Sequence, residues 1–243
     1  MKKKYLAPLM SLLATGGLLT VALVLLFGHS FAWFSSVREP RASGMHLSVR
    51  GVPETEQYLT VGGVRVDGAA EDLFSGLTPG DTVRFSLVIV NKSGRPIVAD
   101  VFLAPPTEAE DPPYEQDGKY HYFGTQLRVN SVKAGDDALL PLTGAERYLL
   151  TLSEELYHGD AAAPLPPTAL SSPYEFSGLP HKTLASNVAI AAGGTLTLDV
   201  EIEFVDNGLL QNPYIGYGDS ASSDPAKAAL TFSRTLACSY EYQ

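Results

Sequence analysis

The sequence predicts a mostly β protein: a two-sheet antiparallel β-sandwich, jelly-roll-like, carrying one helical insertion. Three observations lead there. Leu196, Leu198, Val200, Ile202 and Phe204 alternate strictly with Thr197, Asp199, Glu201 and Glu203, the period of two that marks a strand with one face on a core and one in water. Val83, Phe85, Leu87 and Ile89 repeat the pattern, with Arg84 and Ser86 facing out. Turn residues punctuate such segments: Gly62-Gly63, Thr78-Pro-Gly-Asp81, Lys92-Ser-Gly94 and Gly193-Gly194. Many short strands bounded by Gly/Pro turns favour a sandwich.

Taken in order, the chain opens with an export signal. Lys2, Lys3 and Lys4 precede an uncharged run from Tyr5 to Phe34 that holds the small-x-small exit Ser30-x-Ala32, so cleavage is expected between Ala32 and Trp33. The charge order places everything after Trp33 outside the membrane. The alternative is an uncleaved anchor, since about 20 apolar residues suffice to cross a bilayer. Residues 1–32 are therefore read as a signal peptide or anchor, and 33–243 as a single domain. Strands are expected at 45–51, 58–66, 81–91, 97–103, 126–132, 196–205 and 229–242. The stretch 104–180 breaks the pattern as a Pro-rich and helical insertion. Thr143-Gly-Ala-Glu146 has capping-box spacing, and Leu149, Leu152 and Leu156 recur at helical spacing before Gly159. These predict an amphipathic helix over 144–158. The Pro-rich runs 104–114 and 161–174 read as extended surface loops.

Charge and cysteine content narrow the setting. The formal net charge of −10 becomes −13 once the three lysines of residues 1–32 are removed. A chain this acidic avoids nucleic acid and anionic lipid and stays soluble by self-repulsion. Membrane contact is then expected only through an uncleaved N-terminal segment. Cys238 is the single cysteine, so the core must hold without an intramolecular disulfide, and roughly 210 residues are enough for that. It shares a strand face with Phe232, Leu236 and Tyr240, which points to a buried, inert thiol.

Three stretches resemble the TasA/camelysin-type proteins that Gram-positive bacteria export through the signal peptidase SipW. The first is Ala32-Trp33-Phe34 with Val37, Ala42 and Gly44-Met45. The second is Leu77-Thr-Pro-Gly80-Asp81, a strand, and Val90-Asn91-Lys-Ser-Gly94. The third is Gly194-Thr195, an alternating strand, Asn212-Pro-Tyr214-Ile-Gly216 and a last strand ending at Gln243. The resemblance spans both ends of the exported part and leaves 104–180 unmatched. It implies a non-enzymatic structural protein of the cell surface or biofilm matrix, a signal peptidase as partner during export, and association with itself or with other surface proteins. One mechanism is strand addition by an N-terminal arm, Trp33 to Arg50, led by Trp33, Phe34 and Val37. The alternative is that this arm pairs within its own sandwich.

Other chemistry finds less support in the residues. Camelysin is classed as a metallopeptidase, yet no His-Glu-x-x-His occurs here, and His46, His121 and His181 have no ligand spacing. No Gly-x-Ser-x-Gly elbow is present either. Neither a metal nor any cofactor is implied. Glu155-x-x-His158 lacks a second such pair, and Leu140-Pro-Leu-Thr-Gly144 matches a sorting signal without the apolar segment and basic tail one needs. Asp206-Asn-Gly208 with Asp219, and Asp136-Asp137, are oxygen-rich but lack EF-hand spacing. Tyr114, Tyr120, Tyr122 and Phe123, with Tyr214 and Tyr217, either form a binding surface, with Tyr120 and Tyr122 as its loop, or cover the end of the sandwich. A monomeric adhesin or ligand-binding module is thus the rival to a matrix subunit.

Overall fold

The computed structural model describes residues 44–50, 54–67, 69–151, 169–206, 211, 213–219 and 223–243. Two sheets pack face to face within them. The first runs in the order β11 (Lys182–Ile190), β6 (Ile97–Leu103), β13 (Ser233–Tyr242), β1 (Gly44–Arg50) and β4 (Ala69–Glu71). The second runs β10 (Asp137–Ala138), β9 (Leu127–Ala134), β12 (Thr195–Phe204), β5 (Thr82–Asn91), β2 (Thr55–Val61) and β3 (Val64–Val66). A separate hairpin pairs β7 (Tyr114–Gln116) with β8 (Lys119–His121).

The strand pairing is nested. β5 and β6 are consecutive but lie on opposite sheets, as do β11 and β12, and β5 pairs with β12 while β6 pairs with β11. This is the jelly-roll-like sandwich that the alternation predicts. One ladder departs from the antiparallel rule: β1 runs parallel to β13, from Gly44 opposite Ser233 to Arg50 opposite Ser239. The core lies between the sheets. Leu59, Leu87, Leu198 and Ile202 come from one side, and Met45, Val101, Leu236 and Cys238 from the other, all buried. Burial holds the Cys238 thiol at about 11, well above its ordinary value, as expected of an inert side chain.

Two of the turns legible in the sequence meet in space. The buried Asn91 donates from its amide nitrogen to the carbonyls of Arg95 (2.8 Å), Ala191 (3.0 Å) and Ile190 (3.3 Å). Its side-chain oxygen accepts from the Ser93 N–H (3.0 Å) and hydroxyl (2.6 Å), and its backbone N–H bonds Gly194 O (2.9 Å). One side chain thus joins the β5–β6 turn to the β11–β12 turn, leaving no buried polar group open there. At the other end, Asp81 accepts from both the N–H and hydroxyl of Thr78 at 2.7 Å. Those bonds hold its carboxyl below the usual range. Gly80 closes this turn at φ +92°, a backbone conformation that favours glycine.

The predicted helix over 144–158 is corrected over its first half. Thr143 N–H does reach the Glu146 carboxylate at 3.4 Å, and one 3-10 turn forms over Gly144–Arg147. Tyr148 then turns extended (φ −70°, ψ 142°) and bridges to Arg128. Leu149 and Leu150 donate to Leu127 O (2.8 Å) and Gly124 O (2.9 Å), and both are buried. A local cap starts a helix, but packing against β9 ends it. Residues 152–158 lie outside the described ones. The one short α-helix described, α1 (Pro225–Ala228), sits elsewhere and is capped by Asp224, whose carboxylate accepts from Ala226 N–H at 3.0 Å.

Gln57 marks a local conflict. It sits on the inward register of β2, opposite Ile89 and two residues before the buried Leu59. Both its amide nitrogen and its amide oxygen are buried without a partner. Gln57→Leu should therefore stabilise the fold by about 1–2 kcal/mol, since it replaces unmet polar groups with apolar volume. Thermal unfolding checks this, and an unchanged or lowered midpoint would count against it.

Candidate functional site

Where a sandwich meets other molecules depends first on its sheet edges, because an open edge offers unpaired N–H and C=O groups. The β11 edge is blunted. Its register slips between Thr183 and Ala185 and again before Val188, and Asn187 takes φ +55° with its N–H held by the Asp100 carboxylate at 2.8 Å. The opposite edge of the same sheet differs. β4 pairs only with Gly44, Met45 and His46 of β1. Among the described residues, no strand pairs with the outer side of Leu47–Arg50.

This placement concerns only the last residues of the expected arm, Trp33 to Arg50. Its strand portion, Met45 to Arg50, is not free but lies in its own sheet, with Met45 in the core. The physical reason is the apolar face that Met45 presents between β13 and β4. Trp33, Phe34 and Val37, and the cleavage residues Ser30 and Ala32, lie outside the described residues.

The tyrosine group is mostly internal. Tyr122, expected on a binding loop, is buried. Its hydroxyl accepts from the Tyr174 N–H at 2.7 Å, and its ring meets Phe176 edge-on at 5.6 Å. Tyr217 stacks on Phe123 (5.0 Å, 20°) and donates to Pro112 O, while the Tyr214 hydroxyl lies 3.2 Å from His121 Nδ1. These rings close one end of the core. Each hydroxyl is placed where a polar tip finds a partner, the usual condition for burying tyrosine. Tyr120 is half-buried on β8, with its backbone bonded both ways to Leu170. Tyr114 is half-buried as well, donates to Asp224 at 2.9 Å and lies under the Lys227 ammonium.

Beneath this end lies a buried charge centre. Arg234 occupies the inward register of β13 between Phe232 and Leu236 and is 1% exposed. Its Nη2 donates to Leu149 O at 2.8 Å, while Nε has no partner. The fully buried Asp111 accepts from Gly124 N–H at 3.1 Å through Oδ2, and its Oδ1 is unpartnered. Burial raises the Asp111 carboxyl to about 7, against the pull of Arg234 and the Gly124 and Phe123 N–H groups. Burial likewise lowers Arg234 to about 10. Nearby, Lys182 donates to Thr151 Oγ1 (2.7 Å) and Glu146 O (3.1 Å). The sequence carried a signal for Arg234, a charged residue at an inward position of an alternating strand. Asp111 and Lys182 gave none, since an acid in a Pro-rich stretch and a lysine at a strand start are ordinary surface residues.

The outer face of the second sheet carries two pairs of opposite charges, Arg84 with Glu201 (2.7 Å) and Arg128 with Glu203 (2.7 Å), and a hydrogen bond from the Ser86 hydroxyl to Asp199 (2.6 Å). Exposed pairs of this kind add about 0–1 kcal/mol each and present no patch of one sign. His181 rests against Phe102 (4.9 Å) and His46 lies on β1, so the three described histidines stay apart. Among the described residues, no group of three or more His, Cys, Asp or Glu side chains could hold a metal ion. Asp219 packs against Gly76, and Asp136 lies in the exposed turn before β10. Glu155, His158 and Asn207-Gly208 are outside the described residues. No described helix is long and apolar enough to cross a membrane. No protein-family model matches the chain, and no curated protein matches it.

Proposed function

We propose that the protein is an exported structural subunit of the cell surface or extracellular matrix, joined to further copies by strand addition. The observation that carries this reading is the outer side of Leu47–Arg50 in β1, which no strand among the described residues pairs with, because such an edge accepts a strand through main-chain hydrogen bonds. The donor is the apolar segment directly ahead of β1 in the sequence, Trp33 to Ala42 with Trp33, Phe34 and Val37. Two features of the exported part are compatible with life outside the cell. Its charge of −13 disfavours collapse into amorphous aggregates, and its core needs no disulfide. Resemblance at both ends of the exported part to the TasA/camelysin type points to the same role, with a signal peptidase as the partner during export.

Electron microscopy with light scattering tests the proposal. Protein starting at Trp33 should form regular filaments, and protein starting at Ser43 should stay monomeric. Equal assembly by both would sink strand addition. A stable monomer in both cases would favour a surface binding module, a reading supported by the half-buried Tyr114 and Tyr120 at the hairpin end.

A further inference from the structure

The stretch 104–180, which matches none of the three resembling segments, builds a cavity of about 250 Å³ against the start of β11. Pro106, Leu149, Leu150, Leu179 and Pro180 supply apolar walls, Thr151 and Glu146 line its polar side, and Lys182 brings an ammonium to it. That ammonium is bound in an unusual way. Its two hydrogen bonds go to neutral oxygens, Thr151 Oγ1 at 2.7 Å and Glu146 O at 3.1 Å, and no described carboxylate lies within ion-pair distance. The Glu146 carboxylate does not pair with it and instead accepts from Thr143 N–H. An ammonium has three donors, and the described residues take two of them.

Arg234 adds positive potential around Lys182, and the Glu146 carboxylate offsets part of it. Arg234 holds the same segment from below through Leu149 O. Burial and Arg234 together lower Lys182 to about 8, which still leaves it charged at neutral pH. A half-buried cation against apolar walls, with no carboxylate in contact among the described residues, is the complement of an apolar molecule that ends in one negative charge.

We propose that this cavity binds a small apolar carboxylate, with the carboxylate on Lys182 Nζ and the hydrocarbon against Leu149, Leu150 and Leu179. Ligand sites for drug-sized molecules span roughly 300–1,000 Å³, so a cavity just below that range suits about eight heavy atoms, the size of a branched six-carbon acid. The site lies away from the β1 edge and does not rest on the assembly reading.

The test uses the full chain in a non-ionic detergent, with 4-methylpentanoate as probe and 4-methylpentanamide as its uncharged twin, followed by backbone-amide NMR shifts. Saturable shifts confined to Thr151, Leu179 and Lys182 are expected with the acid, and at least tenfold weaker binding with the amide. Lys182→Met should erase the difference between the two probes. Leu179→Glu, which places a carboxylate at the rim, should abolish acid binding while leaving the rest of the spectrum unchanged. Equal binding of acid and amide to the wild type, non-saturating shifts, or undiminished acid binding by Lys182→Met would each overturn the proposal.

Discussion

Replacing Gly124 with alanine is expected to cost roughly 3 kcal/mol or more, among the largest effects of any single methyl group in this domain. Gly124 lies in the 3-10 turn Phe123–Thr125, itself wholly buried. A Cβ there would overlap Asp111 Oδ2 and stand 3.0 Å from Leu150 Cβ and 3.3 Å from the Phe232 ring. None of these neighbours can yield freely. Asp111 is held by the Gly124 N–H itself, Leu150 by its bond to Gly124 O, and Phe232 by edge contacts with Phe123 (5.3 Å) and Phe74 (5.2 Å). Interiors are packed too densely to absorb an added methyl without moving backbone. Displacing Asp111 would also strip its hydrogen bond from the Gly124 N–H while it remains near Arg234. Thermal unfolding should show a fall in midpoint of about 6–12 °C for a domain of this size. A midpoint within about 2 °C of wild type would mean that the turn relaxes and that Asp111 is not fixed by it.

The parts of the fold that were legible share one property: their signal is local and periodic. β12 follows the alternation residue by residue and β5 and β13 over most of their length, and the turns at Thr78–Asp81 and Lys92–Gly94 fall where Gly, Pro and Asp demand them. The parallel match of β1 with β13 was not legible, because nothing in seven residues at one end specifies a partner near the other end. The helix over 144–158 misled for a related reason. Thr143 and Glu146 do make their local cap, but Tyr148, Leu149 and Leu150 each find partners on Arg128, Leu127 and Gly124 that a continuing helix would forfeit.

The candidate site divides in the same manner. Tyrosines in Pro/Gly-rich loops look alike in sequence whether they face water or the core. Tyr122, Tyr214 and Tyr217 are interior because each hydroxyl reaches a partner contributed by a distant segment, Tyr174, His121 and Pro112 respectively. Lys182 gains its character from Thr151 and Arg234, 31 and 52 positions away. Chemistry assembled from such separations becomes visible only when the topology brings the segments together. The side of β1 that stays unpaired among the described residues belongs to this class too, since it depends on the shortness of β4 rather than on any residue in β1.

Asp111 provides the second large effect, and it is one of pH. Burial raises its carboxyl from an ordinary 3.8 to about 7, so between those values the folded protein keeps a proton that the unfolded chain has released. Its contribution to stability is therefore fully present below pH about 4 and is lost as pH rises through about 7. Each unit of that window is worth up to about 1.4 kcal/mol, so wild type should be more stable at pH 5.5 than at pH 7.5 by roughly 2 kcal/mol. Other shifted groups act elsewhere or in the opposite sense. The lowered carboxyls of Glu56, Asp81, Glu201 and Asp224 lose stability only as pH falls below the usual carboxylate range. Lys182, lowered to about 8, gives its change chiefly above pH 8. Self-repulsion of the acidic surface also weakens on acidification, but equally in any variant of the same surface. Asp111→Asn keeps the shape and removes the titration, so the difference between the two proteins isolates this one carboxyl. Urea unfolding at pH 5.5 and 7.5 should show the wild-type gain and its disappearance in Asp111→Asn. Identical pH slopes would mean that Arg234 keeps Asp111 ionised across the range, making the buried centre a full ion pair instead of a protonated acid beside a cation.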